Sequence, residues 1–506
     1  MAQQPLDLEP ATPSLTRSRE IALIFITCIA QFLSLAALLQ TLSPVMILAD
    51  YFHVEDYGTL SWFSASYSMS VGTFILPAGR LGDMYGHKRI YLIGWAWFAT
   101  WSLISGFSYS SGVVLFSICR AFQGIGPALL VPNAVALIGR NFPVGQKRNI
   151  GFALFGAMGP TGATTGAVFA ALLADLAWWP WEFWILSVVC CIVLGLAFFI
   201  IPDEDAAINK IKGAQRPSFD YWGSITGVTG LILINFALNQ APLVTWMTPY
   251  IGALLGVGCL FMVAFVLVEL YATEYPLIPI RGLSKDAVFA LTCIFVGWSS
   301  HGIWNYYLFL FLEHLREHSA LLASAETAPV AFTGFLFALS TVWLLKRIGV
   351  AYVMFIAMTF FMLGALLLAT MPLHQTYWAQ TFISVLIMPG AMNLSYPAAN
   401  ILLSSSLPKE KQGIAASLVS TLVNYSISCG LGFAGTLDRY IIAKEAKRRG
   451  FQGGPHPLQD HSPNVQSLRL VAHRAALWFA AALGGLGMVV AAIYIAVTAW
   501  RKSYRR

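Results

Sequence analysis

The stretch Gly79-Arg80-Leu81-Gly82-Asp83-Met84-Tyr85-Gly86-His87-Lys88-Arg89 is a short charged turn between two long apolar segments. Its glycines at 79, 82 and 86 allow a sharp reversal and the close approach of another backbone. Asp83 is a lone carboxylate at what reads as a membrane edge, and Lys88 with Arg89 would hold the turn on the cytoplasmic side. The plainer alternative is a merely basic loop between helices.

The chain around this turn has 506 residues, of which 58% are hydrophobic and 10% charged. Soluble domains carry about 25% charged residues, so this composition describes a polytopic membrane protein with the lipid bilayer as its solvent. The net charge of +7 calls for no nucleic acid, because loops on one side account for most of it. The seven cysteines (28, 119, 190, 191, 259, 293 and 429) all lie in apolar segments and form no C-x-x-C pair, so neither a disulfide frame nor a metal site is expected. Residues 1–20 are polar and lack a basic-then-apolar leader; they read as a cytoplasmic tail.

A membrane span needs about 20 apolar residues. Candidates lie near 21–49, 58–78, 90–107, 112–138, 149–174, 182–201, 222–240, 248–271, 287–312, 325–345, 350–371, 377–404, 412–437 and 474–500, fourteen in all. An even count puts both termini on one side, and with that side cytoplasmic, 21 of the 30 Lys and Arg residues fall on it. Seven of the eight outside lie in the long 438–473 connection and its flanks, where the rule is weak. Pro132 and Pro143 around the end of span 4 recur at equal separation as Pro397 and Pro408 around the end of span 12. That repeat predicts a six-helix bundle over 21–201, a linker at 202–220, an inserted pair at 221–271, a cytoplasmic loop at 272–286 and a second bundle over 287–500, with a tail at 501–506.

The opening turn closely resembles the signature G-x-L-a-D-r-x-G-r-k that follows the second span of major facilitator transporters, through Gly79, Leu81, Asp83, Gly86 and Lys88. Met84 stands where that signature has a basic residue. By resemblance, Asp83 latches the two halves together in one conformation. Arg120-Ala121-Phe122-Gln123-Gly124-Ile125-Gly126 resembles the span-4 pattern R-x-x-Q-G-x-G, whose Arg is implicated in proton coupling. Placing Arg mid-bilayer costs about 2.5–3.5 kcal/mol on insertion scales, so Arg120 should face a watered cavity or an acceptor; snorkelling to the outer headgroups is the alternative. Gly156, Gly159-Pro160, Gly162 and Gly166 in span 5 partly resemble the antiporter signature G-P-x-x-G-G, although Ala163-Thr164 occupies the place of its two glycines. A Gly-packed helix without directional meaning would look similar.

Asp220-Tyr221-Trp222-Gly223, with Asn235 to Pro242, resembles the seventh span of fourteen-span drug:proton antiporters. More narrowly, nearly all of 20–500 resembles a fungal branch associated with aminotriazole and borate resistance that includes low-affinity ammonium carriers. The implied fold is all-α, two six-helix bundles plus the inserted pair.

His301 lies mid-span 9, with Asn305 nearby; it suits proton or substrate binding, or a hydrogen bond within the bundle. Tyr396, Asn400 and Asn424 add polar groups at membrane depth, each alone explicable as helix–helix glue. Asp175, Glu182, Glu269 and Asp438 fall at span ends, where solvation accounts for them, leaving the proton carrier unassigned.

Three patterns mislead. Gly430 to Gly435 spells G-x-G-x-x-G inside span 13 with no preceding strand. His314-Leu315-Arg316-Glu317-His318 spells H-x-x-E-H in what reads as a short outer loop. Asn393 and Asn424 begin N-x-S sequons within spans. No G-x-x-x-x-G-K-[ST] loop occurs, so direct ATP drive is not expected, nor is any cofactor. The expected activity is proton-coupled export of small amphiphilic toxic compounds, or of a secondary metabolite, by a monomer in the plasma membrane, with the vacuolar membrane next. Alternatives are an uptake carrier for ammonium or another small solute, and a non-transporting membrane sensor.

Overall fold

Every regular element of this chain has to satisfy its backbone internally, because lipid offers no hydrogen-bond partner, and helices do so within one segment. The computed structural model describes residues 16–143, 145–203, 219–273, 276–278, 280–405, 412–450 and 462–503. The predicted 1–20 tail and 202–220 linker lie mostly outside these residues, as do the last three of the 501–506 tail and Lys210, Lys212, Arg216, Lys409 and Lys411 of the charge count.

The first bundle comprises α1 (Arg17–Leu39), the short α2 (Val45–Tyr51), α3 (Tyr57–Tyr85), α4 (His87–Phe107), α5 (Val113–Asn141), α6 (Gln146–Leu176) and α7 (Pro180–Ile200). The inserted pair is α8 (Tyr221–Val244) and α9 (Pro249–Leu267). The second bundle holds α10 (Lys285–Leu310), the short α11 (Ala320–Thr327), α12 (Pro329–Ile348), α13 (Val350–Ala369), α14 (Gln380–Ser405), α15 (Gln412–Arg448) and α16 (Pro463–Ser503). Caps set several starts: Asp56 accepts from Thr59 N at 2.9 Å, Asp220 from Gly223 N at 2.7 Å and Ser284 from Ala287 N at 3.1 Å. Pro180, Pro249 and Pro329 occupy first turns, where the missing N–H costs nothing.

Thirteen helical segments among the described residues are long and apolar enough to cross a membrane. The expected count of fourteen adds α3, which is 29 residues long but carries the serines of Ser64-Ala65-Ser66-Tyr67-Ser68-Met69-Ser70, all buried against other helices rather than lipid. Span 1 is not continuous to 49, since the helix breaks at Gln40–Pro44 before α2. The 438–473 connection is mostly helix, because α15 runs on to Arg448 and α16 begins at Pro463.

The two bundles repeat one plan. Gly86 (φ +95°) ends α3 and starts α4, and Gly349 (φ +86°) does the same between α12 and α13. A side chain strains that backbone conformation, so both reversals favour glycine. The packing partners correspond as well: α3–α5, α4–α5 and α4–α7 in the first bundle match α12–α14, α13–α14 and α13–α16 in the second. The bundles meet along α3–α15 and α6–α12, and α8 lies against both α3 and α15. Its buried Asn239 donates to the Ser428 carbonyl at 3.2 Å, while Ser428 Oγ donates to the Ala65 carbonyl at 3.0 Å, so α8, α15 and α3 are tied at one level.

Candidate functional site

At one end of the molecule, the charged turn is built inside the first bundle. Asp83 Oδ1 lies 3.2 Å from Arg140 Nη2 of α5 and 3.4 Å from His87 Nε2. His87 is positioned by Asn133, whose Oδ1 is 2.7 Å from its Nδ1. Lys88 Nζ donates to Asp203 at 2.8 Å, a hydrogen bond that holds this exposed carboxyl below its ordinary range. Gly79 faces Ser417 of α15, and a 60 Å³ pocket lined by Arg80, Asp83, His87, Leu277 and Ile414 lies beside it. Arg89 is exposed at the start of α4. Among the described residues, the two ion-pair partners of Asp83, His87 and Arg140, belong to its own bundle, and the pocket beside it is lined from across the seam by Leu277, Ile414 and Ser417.

Arg120 is fully buried. It donates to the carbonyls of Ala37 at 2.7 Å and Phe63 at 3.2 Å and to Gln123 Oε1, and its guanidinium lies over the Tyr67 ring at 4.6 Å. Gln123 passes the chain on to Ser102 at 2.8 Å. These bonds join α1, α3, α4 and α5, so of the two surroundings expected for Arg120, acceptors and a watered cavity, the structure provides acceptors. In α6, a Cβ at Gly162 would sit 2.1 Å from the Phe32 carbonyl oxygen of α1, so these backbones touch only because the position is glycine. Gly159 faces Gln31, and Pro160 packs against Gly334 of α12 across the bundle interface.

The mid-depth polar residues fall into two groups. His301 is bracketed by Trp304, stacked at 5.9 Å, and Trp298, edge-on at 5.5 Å. Both tryptophans donate to α14, Trp304 to Ser384 at 2.7 Å and Trp298 to Ser395 at 3.2 Å, which fixes the bracket. Tyr396 joins Ser420 of α15 through their hydroxyls at 2.7 Å, while Asn400 and Asn424 bond back to the carbonyls of Tyr396 and Ser420, both at 3.0 Å. Tyr396, Asn400 and Asn424 thus share the α14–α15 seam. The buried His301 Nδ1 and Asn400 Oδ1 have no hydrogen-bond partner among the described residues. Asn305 is half-buried on α10 beside Trp304 in sequence.

At the opposite end, which we call the Tyr57 end, lies a set of groups the sequence reading passed over. Tyr57 of α3 bonds through its hydroxyl to His314 Nδ1, and Tyr306 donates to the Tyr57 carbonyl at 2.7 Å. His314 Nε2 is 3.1 Å from Arg469 Nη1, and Asp438 Oδ1 is 3.8 Å from His473 Nδ1. All are buried, so solvation does not account for Asp438. Glu182 is likewise only 3% exposed, and neither carboxylate oxygen has a hydrogen-bond partner among the described residues. Helix ends that overshoot the apolar run and pack on neighbours hide these acids from a one-dimensional reading. His314 is not in an outer loop but in a π-helical turn, Phe311–Leu315, continuing α10. His318 points elsewhere, to Glu326 at 3.2 Å, so the H-x-x-E-H pattern assembles no common site. Gly430 and Gly432 pack on Ser299 and Leu238, as helix contacts.

Residues 22–433 match the model of the Major Facilitator Superfamily. The chain belongs to this superfamily. Among its relatives, the Low affinity ammonium transporter of Saccharomyces cerevisiae is 46% identical over 492 residues, covering 96% of this chain and 90% of that protein. Efflux pump terJ of Aspergillus terreus is 40% identical, covering 85% and 83%. The Aminotriazole resistance protein of S. cerevisiae is 37% identical, covering 84% and 78%. The resemblance read from the Asp83 turn and the span-4 pattern therefore holds, and so does the narrower fungal branch. As a major facilitator protein this chain is an integral, multi-pass membrane transporter of a small molecule, and neither its family nor these relatives are enzymes.

Proposed function

We propose that this transporter exports small amphiphilic toxic compounds, or a secondary metabolite, in exchange for protons by alternating access. The observation that carries this reading is the uncharged mid-depth surface. His301 lies between Trp298 and Trp304, and both tryptophans donate to α14, the helix that carries Tyr396 and Asn400 on its seam with Asn424 of α15. Aromatic faces with a few convergent polar groups suit a neutral, partly apolar ligand. Pro160 packs against Gly334 at the α6–α12 contact, where the antiporter-like segment meets the second bundle. In this reading the Asp83 end is cytoplasmic, as the Lys and Arg placement favours. Asp83 with Gly79, Gly86, Lys88 and Arg89 gates that end, and Arg120 with Gln123 transmits protonation between helices. The proton gradient supplies about 2.3 kcal/mol per charge per 100 mV, plus the pH difference.

A second reading, ammonium uptake, is favoured by the 46% identity to the ammonium transporter; ring faces and unpaired acceptors also suit a small cation. One assay separates the two. A host stripped of its own exporters is loaded with lipophilic toxicants, borate or methylammonium, and retention is followed with wild type, Asn400→Ala and an uncoupler. Export predicts lower toxicant retention with wild type, lost with uncoupler and altered by Asn400→Ala. Raised methylammonium uptake with unchanged toxicant retention replaces export by the carrier reading.

A further inference from the structure

We propose that the cavity between α8, α15 and α16 at the Tyr57 end is a binding site for an anionic phospholipid, with the headgroup phosphate on Arg439 and an acyl chain laid along α15. Such a site depends on neither the substrate nor the direction of transport.

α8 and α15 pack together, as do α15 and α16, and where the three meet lies a cavity of about 520 Å³, within the range of about 300–1,000 Å³ usual for small-molecule sites. Its level is set by the last turn of α8, where Leu243 faces Gly58 of α3, next to Tyr57. Pro242, Phe433, Leu437 and Phe479 give it apolar walls, and Trp246, Phe433 and Tyr440 are exposed. In a membrane-spanning chain such a face meets lipid, so the cavity draws on the bilayer for its ligand. Phe433, Thr436 and Tyr440 follow one another at helical spacing and share one face of α15 over about 10 Å, a track for an extended chain. Trp246 donates to Thr436 Oγ1 at 3.3 Å, which fixes the indole at the rim. The residue before it, Thr245, has φ +78°, a value that β-branched residues rarely adopt. That turn takes the chain out of α8 and brings Trp246 back onto α15, and strain of this kind gathers at ligand clamps and other functional sites.

Arg439 supplies the polar end. It lies just past the apolar run 412–437, where headgroups begin, and it lines the cavity. Its Nη1 donates to the carbonyls of Pro242 and Leu243 at 2.6 and 2.8 Å, which caps the last turn of α8 and uses both protons of that nitrogen. A guanidinium has five N–H donors, so three remain on Nε and Nη2, and among the described residues no acceptor takes them. The neighbouring acids are turned elsewhere, Asp438 toward His473 at 3.8 Å and Glu445 onto Arg448 and Arg449 at 2.6 and 2.9 Å. Lys444, one turn past Tyr440, lies over its ring at 6.0 Å and adds a second positive charge beside the cavity. Capping of α8 accounts for Nη1 alone. The planar fork of Arg matches a phosphate bidentately, and a phospholipid joins that phosphate to a chain that fills the track. A soluble anion would leave the apolar walls uncovered, and a neutral lipid would leave the two cations without a counter-charge.

The test uses the purified full chain in detergent micelles. Phosphatidylglycerol brominated near the glycerol end of one chain is titrated in, and the part of the tryptophan quenching that disappears in Trp246→Phe reports a chain beside Trp246. That quenching should saturate at low lipid fraction. Diacylglycerol with the same brominated chain lacks the phosphate, and phosphatidylcholine with it is neutral overall; both should need about tenfold more lipid or beyond, the worth of a lost charge-assisted hydrogen bond. Arg439→Gln, which can still donate to the α8 carbonyls, should raise the phosphatidylglycerol midpoint by about the same factor. Ala443→Phe fills an exposed part of the cavity wall and leaves Arg439 in place. It should abolish the saturable quenching, and it carries the test should Arg439→Gln fail to give a monodisperse protein. Equal midpoints for phosphatidylglycerol and either of the other two lipids overturn the proposal, as does wild-type behaviour of Arg439→Gln or Ala443→Phe. Relief of the quenching by glycerol phosphate as readily as by unbrominated phosphatidylglycerol makes this a soluble-anion site. Relief by a lipophilic toxicant at lower concentration than by that lipid makes it an entry for transported compounds, and either result overturns the lipid assignment.

Discussion

Arg120 and Glu182, two buried residues that act on each other electrostatically, read very differently in the sequence. Arg120 stood out because a basic residue mid-span is expensive, and that cost is met by carbonyls of α1 and α3 and by the Tyr67 ring. Glu182 did not stand out, because solvation accounts for an acid at a span end, here the first turn of α7. Its side chain is nevertheless buried, and it and Arg120 act on each other electrostatically. Removing Arg120 takes away the donor to the Ala37 and Phe63 carbonyls and to Gln123, and a buried acceptor left unsatisfied costs about 1–3 kcal/mol. Arg120→Met should therefore lower the melting midpoint in detergent markedly, and the double variant Arg120→Met with Glu182→Gln should recover part of the loss. A double variant no more stable than the single one would mean that Glu182 is not the charge Arg120 balances.

Among the elements, the helices were legible wherever lipid dictates composition, and obscure where a helix is clothed by other helices. The serines of α3 lie too deep among neighbours for apolarity to be required, so its span rests on length and on the caps at Asp56 and Gly86. The π turn that carries His314 was hidden because Glu313, His314 and Arg316 interrupt the apolar run, although burial continues through Leu315. Glycine content was legible, but not which glycine is in contact. Gly156 and Gly162 sit on the same helix, yet a Cβ at 156 meets nothing within 4 Å, while one at 162 meets the Phe32 backbone. Overpacking of this kind costs about 1–3 kcal/mol, and backbone cannot rotate aside as a side chain would. Gly162→Ala should separate α6 from α1, lowering the melting midpoint and transport together. Gly156→Ala should be neutral or stabilising by up to about 1 kcal/mol, from helix propensity alone. Equal behaviour of the two variants in the same melting assay would remove the basis for the α1–α6 contact.

For the whole molecule, alternating access requires that contacts between bundles at one end be breakable, and those at the Tyr57 end are hydrogen bonds between small or polar groups. Ser43, in the turn after α1, donates to the Ala167 carbonyl of α6 at 2.6 Å and accepts from Ser324 of α11, their oxygens 2.9 Å apart. Hydroxyl pairs of this sort contribute about 0.5–1.5 kcal/mol net each, which suits a seam that opens and recloses in every cycle. A covalent link there should be tolerated by the fold but not by the cycle. With Ser43→Cys and Ser324→Cys together, side-chain atoms already at 2.9 Å need to close to the disulfide length of about 2.0 Å. Oxidation should then staple the bundles at this end, abolish whatever transport the wild type shows, and leave the melting midpoint unchanged or raised. Reduction should return transport to the level of the unoxidised double variant, and each single variant should be indifferent to oxidant. Full transport with the disulfide formed, verified by mass spectrometry, would mean that the Tyr57 end does not separate during the cycle, and the moving seam would have to be sought along α3 and α15 instead.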